Sequence, residues 1–163
     1  MATCSSLALA EPAKKPDFAA MIECRTDFGD YQSFALGDFQ DEAYKKRLGI
    51  KLVKQANFML LEYALPRPIS VHGYRTSRIV FNSAGIMAVL DETDAAALAE
   101  RLKLEVVVNS GAKILATRTL LESPPETLGG MKVWRKVSMD LSTVPSHPGK
   151  TLVGCTYRPM MEE

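Results

Sequence analysis

The chain lacks the short motifs with which small enzymes bind nucleotides or build a nucleophile. A glycine-rich phosphate loop with lysine, a dinucleotide fingerprint, a G-x-S-x-G elbow and a C-x-x-C pair are all absent from the 163 residues. Only two histidines occur, His72 and His147, and neither has a carboxylate, cysteine or second histidine at metal-ligand spacing. Because zinc takes about three or four such ligands, the sequence predicts no metal site and no cofactor.

Strong charge of one sign and long apolar runs are absent as well. Twenty Lys and Arg residues against 19 Asp and Glu residues give a formal net charge of +1, which excludes a strong field that would attract nucleic acid. No run reaches the roughly 18 apolar residues that a membrane-spanning helix needs. With 47% hydrophobic residues, the chain predicts one globular domain over residues 19–163, preceded by an extended lead-in over 11–18.

Charge is also missing from residues 1–10, which end in Leu7, Ala8, Leu9 and Ala10. Small residues in this pattern resemble the end of a secretory signal peptide that is cleaved after Ala10. The basic n-region and the full apolar segment of such a peptide are not present, so an ordinary alanine-rich N-terminus is the alternative. The pattern predicts an exported protein, either periplasmic in a bacterium or secreted.

Cysteine is scarce, with three residues at positions 4, 24 and 155. Removal of residues 1–10 would leave Cys24 and Cys155, and an even pair in an exported domain favours a disulfide. Two buried free thiols are the alternative. A free thiol near His72 or His147 would instead permit a nucleophilic Cys–His pair.

The clearest structural pattern lies over residues 129–142. Apolar Met131, Val133, Val137, Met139 and Leu141 alternate with polar residues or tryptophan, and only Arg135 falls on the apolar side. Period-two alternation predicts a strand with one buried face.

Other segments alternate similarly and predict a β-rich α+β fold. We expect a mainly antiparallel curved sheet or partly open barrel of about nine or ten strands with two helices, and a two-sheet sandwich is the alternative. A bridge between Cys24 and Cys155 would bring the first and last strands together. The predicted strands cover residues 19–26, 31–36, 50–55, 57–65, 69–74, 77–82, 86–90, 104–108, 112–121 and 150–158, and the predicted helices cover 38–49 and 91–103.

The polar face of the 129–142 strand supplies the candidate binding residues. If Val133 and Val137 face the core, Lys132, Trp134 and Lys136 form a row on the other face. A tryptophan between two cations is typical of an interface anchor, although Trp134 packed beneath a helix is the alternative.

These patterns predict an exported module that binds another protein, such as an inhibitor, immunity or accessory protein, rather than an enzyme. A carrier of a small apolar ligand, with a cavity inside a β-barrel, is the alternative. A hydrolase-like enzyme with a Cys–His pair is the third possibility.

Overall fold

A computed structural model describes residues 15–53, 57–91 and 94–162 of the chain. The predicted signal segment, Cys4 and most of the predicted lead-in lie outside the described residues. Within them, nine strands form a single sheet in the order β1-β2-β3-β4-β9-β8-β6-β5, with β7 beside β8, and the sheet does not close. The strands are β1 (Lys51–Leu52), β2 (Leu61–Val71), β3 (Tyr74–Phe81), β4 (Gly85–Asp91), β5 (Glu105–Asn109), β6 (Ile114–Glu122), β7 (Glu126–Leu128), β8 (Met131–Ser142) and β9 (Lys150–Glu162).

Every strand pairing in this sheet is antiparallel. The β-rich α+β class and the mainly antiparallel curved sheet are therefore confirmed. Because all nine strands belong to one sheet, the two-sheet alternative does not apply to the described residues.

The described residues contain four α-helices, whereas the sequence predicted two. The described residues form α1 (Phe18–Ile22), α2 (Phe28–Leu36), a 3-10 turn (Asp38–Gln40), α3 (Glu42–Leu48) and α4 (Ala95–Arg101). An aspartate caps each α-helix: the side chains of Asp17, Asp27, Asp41 and Asp94 each accept a bond from a first-turn amide, which satisfies a donor that the helix itself leaves unpaired.

The strands predicted over 19–26 and 31–36 are wrong, because these segments form most of α1 and α2. Their buried residues follow helical spacing: Phe18, Met21 and Ile22 in α1, and Tyr31 and Phe34 in α2. Side chains three and four positions apart share one helix face, and the Asp caps start each helix just before them.

The two predicted helices are present but shorter. The 38–49 segment divides into the 3-10 turn and α3, and its cap is Asp41 rather than Asp38. Gly49 ends α3 with a φ of 71°, a conformation that glycine adopts without strain. In the 91–103 segment, α4 starts after Asp94.

The 57–65 segment is not a central strand over its whole length. Phe58 is 89% exposed and Met59 is 65% exposed, and β2 starts only at Leu61. β2 then continues through Pro66 and Pro68 because its pairing with β3 shifts register between Ala64 and Ile69, and proline is tolerated at such irregularities. The strands predicted over 104–108 and 112–121 are confirmed, and they form the antiparallel hairpin of β5 and β6.

All four helices cover the same face of the sheet, which we call the inner face. Their buried side chains join one core cluster with inward residues such as Ile79, Val137 and Leu141. On the opposite, outer face, the described residues form a smaller cluster of Val80, Met87, Val89 and Leu152 that contains no helix residue.

The disulfide fixes the helical cover to the middle of the sheet. Cys24 and Cys155 are joined, 131 residues apart in sequence. Cys24 follows α1 and Cys155 lies on β9, so the expectation that the bridge joins the first and last strands is wrong. Close to it, the Tyr31 ring stacks on Tyr157 with centroids 4.0 Å apart, and the Tyr157 hydroxyl donates to the Met21 carbonyl at 2.8 Å.

Candidate functional site

Strand β8 is buried over one half and uncovered over the other. Val137, Met139 and Leu141 belong to the core beneath the helices, whereas no residue of the 131–136 half is fully buried. The alternation of the sequence continues through both halves. The helical cover ends partway along the strand, which explains why Arg135 can stand on the apolar side: it is exposed.

The uncovered half belongs to a narrow extension of the sheet, which we call the arm: β7, residues 131–136 of β8 and residues 158–162 of β9. β4 pairs with β9 only as far as Thr156, and the Tyr157 amide makes a further bond of 2.7 Å to the Ala84 carbonyl. Beyond that bond, no strand in the described part of the chain flanks β9 on this side. The arm therefore has open faces and open edges.

Pro159 blunts the open edge of β9. The Tyr157 amide points toward β4, so the next residue whose amide would point to that edge is residue 159. Proline has no amide hydrogen to donate, and proline on an edge strand is one of the devices that prevent strand addition. The faces of the arm, rather than this edge, are available for contact.

One face of the arm continues the apolar inner face. Leu128 pairs with Met131 across β7 and β8, and Val133 pairs with Met161 across β8 and β9. Leu128, Met131 and Met161 are 67%, 39% and 68% exposed. Three neighbouring apolar side chains thus lie exposed to water on this face of the arm. A contiguous exposed apolar patch is typical of an interaction site.

The other face carries the three residues predicted to bind. The register places Lys132 opposite Glu162, Trp134 opposite Met160 and Lys136 opposite Arg158. These three β8 residues alternate with Met131, Val133 and Arg135, so they share the outer face of the sheet. The structure thus brings Lys132, Trp134 and Lys136 together in one row.

Trp134 is partly buried, and the elements next to it are strands rather than a helix. Its indole Nε1 donates to Glu122 Oε1 at 3.2 Å. Trp134 is also among the residues that line a surface cleft of about 420 Å³, which Leu128 and Met161 of the inner face line as well. This environment is intermediate between the freely exposed anchor and the ring packed under a helix.

Farther along the outer face, Lys136 and Arg158 line a second cleft of about 420 Å³. Its floor holds the Asp140 carboxylate, which accepts bonds from Thr117 Oγ1 at 2.5 Å, Ser138 Oγ at 3.0 Å and Thr156 Oγ1 at 2.5 Å. Asp140 is thus held by hydroxyl groups rather than by the cations.

His147 lies apart from these clefts, in the turn between β8 and β9. Its Nε2 lies 3.0 Å from Oε2 of the buried Glu62, its Nδ1 lies 3.0 Å from Ser146 Oγ, and Arg78 pairs with the other Glu62 oxygen at 2.6 Å. These contacts tie the turn to β2 across the outer face. His147 therefore does more than occupy a rigid surface turn.

His72 occupies the tight turn between β2 and β3, with a φ of 49°. Its amide donates to Glu23 Oε1 at 2.8 Å. Burial lowers the pKa of the His72 ring, against the opposite effect of the Glu23 carboxylate. Burial acts to raise the pKa of Glu23, but the bonds from His72 and Arg25 hold it below its usual value. Glu23 and Glu62 thus have separate partners.

A third cleft, of about 560 Å³, opens between the helices and the inner face. Aromatic rings dominate its wall, and Lys45 Nζ lies 5.3 Å from the ring centroid of Phe39 and 5.7 Å from that of Tyr63. Lys45 also pairs with Glu42, which is itself largely exposed. The aromatic lining residues are Tyr31, Phe39, Tyr63, Phe81 and Tyr157.

The residues that the structure describes include no helix long and apolar enough to cross a membrane. They also include no group of three or more His, Cys, Asp or Glu residues that could hold a metal ion. Comparisons with protein-family models, curated proteins and solved structures found no match.

The sequence interpretation missed several residues that shape these surfaces. Leu128, Met161, Glu122 and Arg158 come from segments that the sequence places outside the 129–142 strand, so their proximity to Trp134 depends on the pairing register. One available signal was Met160-Met161 after Pro159: two apolar side chains beyond an edge proline indicate a strand end that leaves the core.

Proposed function

We propose that this protein is an exported module that binds another protein through the arm. The observation that carries the proposal is the uncovered apolar face of the arm, where Leu128, Met131 and Met161 continue the core face into solvent. Apolar surface that is not used inside a fold is typical of an interaction site. The disulfide between Cys24 and Cys155 is compatible with an oxidising compartment and supports export.

Trp134 is the proposed anchor of the interface. A ring that is partly buried and held by Glu122 through its N–H loses little side-chain freedom when a partner covers it. Tryptophan is among the residue types that carry the most binding energy at interfaces. Lys132 and Lys136 flank it on the same face and supply the charged rim.

The partner we propose is a folded protein with an apolar patch, not a peptide that adds a strand. Pro159 removes the amide that an added strand would use at the β9 edge. The apolar face and the Trp134 face lie on opposite sides of a narrow arm, so a concave partner surface would contact both.

Site-specific photo-crosslinking tests the proposal. We expect a photoreactive phenylalanine analogue at Met161 to capture one discrete partner from a periplasmic extract. The same analogue at Phe58, which is more exposed and precedes β2 rather than lying on the arm, serves as the matched control and should capture none.

The partner identified in this way is then purified and bound to the unlabelled protein. Substitution of Trp134 by alanine should weaken that binding by about 2 kcal/mol or more. Capture that is equal at Phe58, or binding that Trp134→Ala leaves unchanged, would contradict the proposal.

A small-ligand carrier is the second candidate, and the aromatic cleft between helices and sheet favours it. A concave cleft lined by several aromatic rings and a few polar groups, here including the Lys45 and Glu42 pair, is typical of ligand sites. The cleft lies between layers and not inside a closed barrel, since the sheet is open. Native mass spectrometry of protein purified without denaturant would detect a retained ligand, and Tyr63→Ala should reduce its occupancy.

The Cys–His enzyme is the least supported candidate. Both Cys24 and Cys155 are joined in the disulfide, and a nucleophile must be a free thiolate. Reduction of the bridge followed by assay with a thiol-reactive ester probe would test whether either sulfur becomes activated.

A further inference from the structure

We propose that Lys136 and Arg158 form a subsite for an oxyanion, a carboxylate or a phosphate group, on the outer face of the sheet. The two residues are directly opposite each other on β8 and β9, and both line the cleft of about 420 Å³ above Asp140. This inference rests on the proposed function only for the source of the anion, which would be an acidic group of the partner protein.

The first argument is the juxtaposition of two like charges. Side chains directly opposite in an antiparallel pair have Cβ atoms about 5 Å apart, and like charges in that position destabilise the pair. Neither Lys136 nor Arg158 forms an ion pair with any residue that the structure describes. A bound anion between the two cations would relieve this repulsion.

The second argument is that the neighbouring carboxylates accept bonds from other donors. Glu122 lies opposite Lys136 in register, but its Oε1 accepts from the Trp134 indole. Asp140, four positions along the strand, accepts from the three hydroxyl groups of Thr117, Ser138 and Thr156. Neither Glu122 nor Asp140 forms an ion pair with Lys136.

The third argument is the shape and composition of the cleft. A guanidinium presents a planar fork of N–H groups that matches carboxylate and phosphate oxygens, while an ammonium adds a point charge. The Asn82 side chain also lines the cleft and offers an amide donor. The Asp140 carboxylate is occupied by the hydroxyl groups of Ser138 and Thr156, so the anion is expected between the Lys136 and Arg158 side chains.

Titration of the isotope-labelled, oxidised protein by NMR tests the subsite without any partner. The probes are glutarate, a short peptide rich in glutamate, and inorganic phosphate, each at constant ionic strength set with sodium chloride. We expect saturable shifts of the Lys136, Arg158 and Asn82 amides. The double variant Lys136→Gln/Arg158→Gln should bind at least about tenfold more weakly, as expected for loss of a charge-assisted contact.

Lys113→Gln is the matched control, because Lys113 is an exposed cation in the turn between β5 and β6 and does not line this cleft. It should retain the affinity of the wild type. If the double variant does not fold, as judged by its amide spectrum, the single variants Lys136→Gln and Arg158→Gln replace it, and each should weaken binding.

The three probes distinguish the sources of the anion. Saturation by glutarate and the acidic peptide but not by phosphate assigns a carboxylate from a partner, whereas tighter binding of phosphate assigns a free phosphate ligand. Shifts that rise linearly with all three probes would overturn the subsite. So would an affinity that Lys113→Gln lowers as much as the double variant does. Capture of a partner at Met161 is a separate result, so failure of one proposal does not decide the other.

Discussion

The two halves of β8 have the same alternating sequence pattern but opposite environments. Val137, Met139 and Leu141 pack under the helices, whereas Met131 and Val133 continue the same face beyond the helical cover. The difference shows that alternation specifies which side chains share a face, while the elements that cover the face decide whether it becomes core. An apolar stripe longer than its cover leaves an uncovered end, which here is the arm.

The largest expected effect concerns the bridge that holds the cover over the buried half. Substitution of both Cys24 and Cys155 by serine should lower the free energy of unfolding by about 5 kcal/mol, because the bridge closes a long loop in the unfolded chain. Denaturant unfolding of the oxidised wild type and the double variant measures this change. A loss below about 1 kcal/mol, or a titration that finds both thiols free in the folded wild type, would contradict the bridge.

The next largest effect is the difference in stability loss between a substitution in the buried half of β8 and one in its uncovered half. Leu141 is 1% exposed, so Leu141→Ala should destabilise the fold by about 2–5 kcal/mol through lost burial and a cavity. Met131→Ala on the same face of the arm should change stability by only about 0.5 kcal/mol. Urea denaturation of both variants provides the comparison, and equal losses would show that the arm is packed like the core.

Alkaline pH should lower the free energy of unfolding through two tyrosines buried under the helical cover. Burial raises the pKa of Tyr157 to about 12, and burial with the adjacent Tyr157 raises that of Tyr31 further. Since an unfolded tyrosine loses its proton near pH 10, above that pH the folded state binds more protons than the unfolded state. Stability should therefore fall as the pH rises from about 10 toward 12.

Unfolding free energies measured from about pH 8 to about pH 11 test this dependence. Tyr31→Phe removes one titrating group while keeping the ring stack, so its stability should depend less steeply on pH. A wild-type free energy of unfolding that stays constant above pH 10 would contradict the raised pKa values of the buried tyrosine pair.

A small change in stability is also expected for substitution of Trp134 on the arm. Trp134→Ala should cost only about 1 kcal/mol, because the ring is partly buried and borders an open cleft. Trp134→Phe keeps an aromatic ring and loses only the bond to Glu122, so its cost should be smaller still. Thermal unfolding measures both, and a loss of about 3–5 kcal/mol for Trp134→Ala would place the ring in a packed core site.

The sequence predicted the strand at 129–142, the sheet class and the row formed by Lys132, Trp134 and Lys136, because period-two patterns report shared faces directly. The pairing of Cys24 with Cys155 was predicted from their even number after removal of residues 1–10. It did not predict α1 and α2, since a short segment such as 19–26 fits both periods and the Asp caps decide between them. The partners of the row, Glu122, Arg158 and Met160, come from pairing register and turns, which local patterns do not specify.

Hydrogen exchange of the protein alone and in complex with its crosslinked partner tests the central claim most directly. The claim predicts that binding slows exchange in peptides covering β7, residues 131–136 and residues 158–162, while α2, α3 and residues 137–141 remain unchanged. Slowed exchange confined to the helices around the aromatic cleft, with the arm unaffected, would contradict the claim and favour the small-ligand carrier.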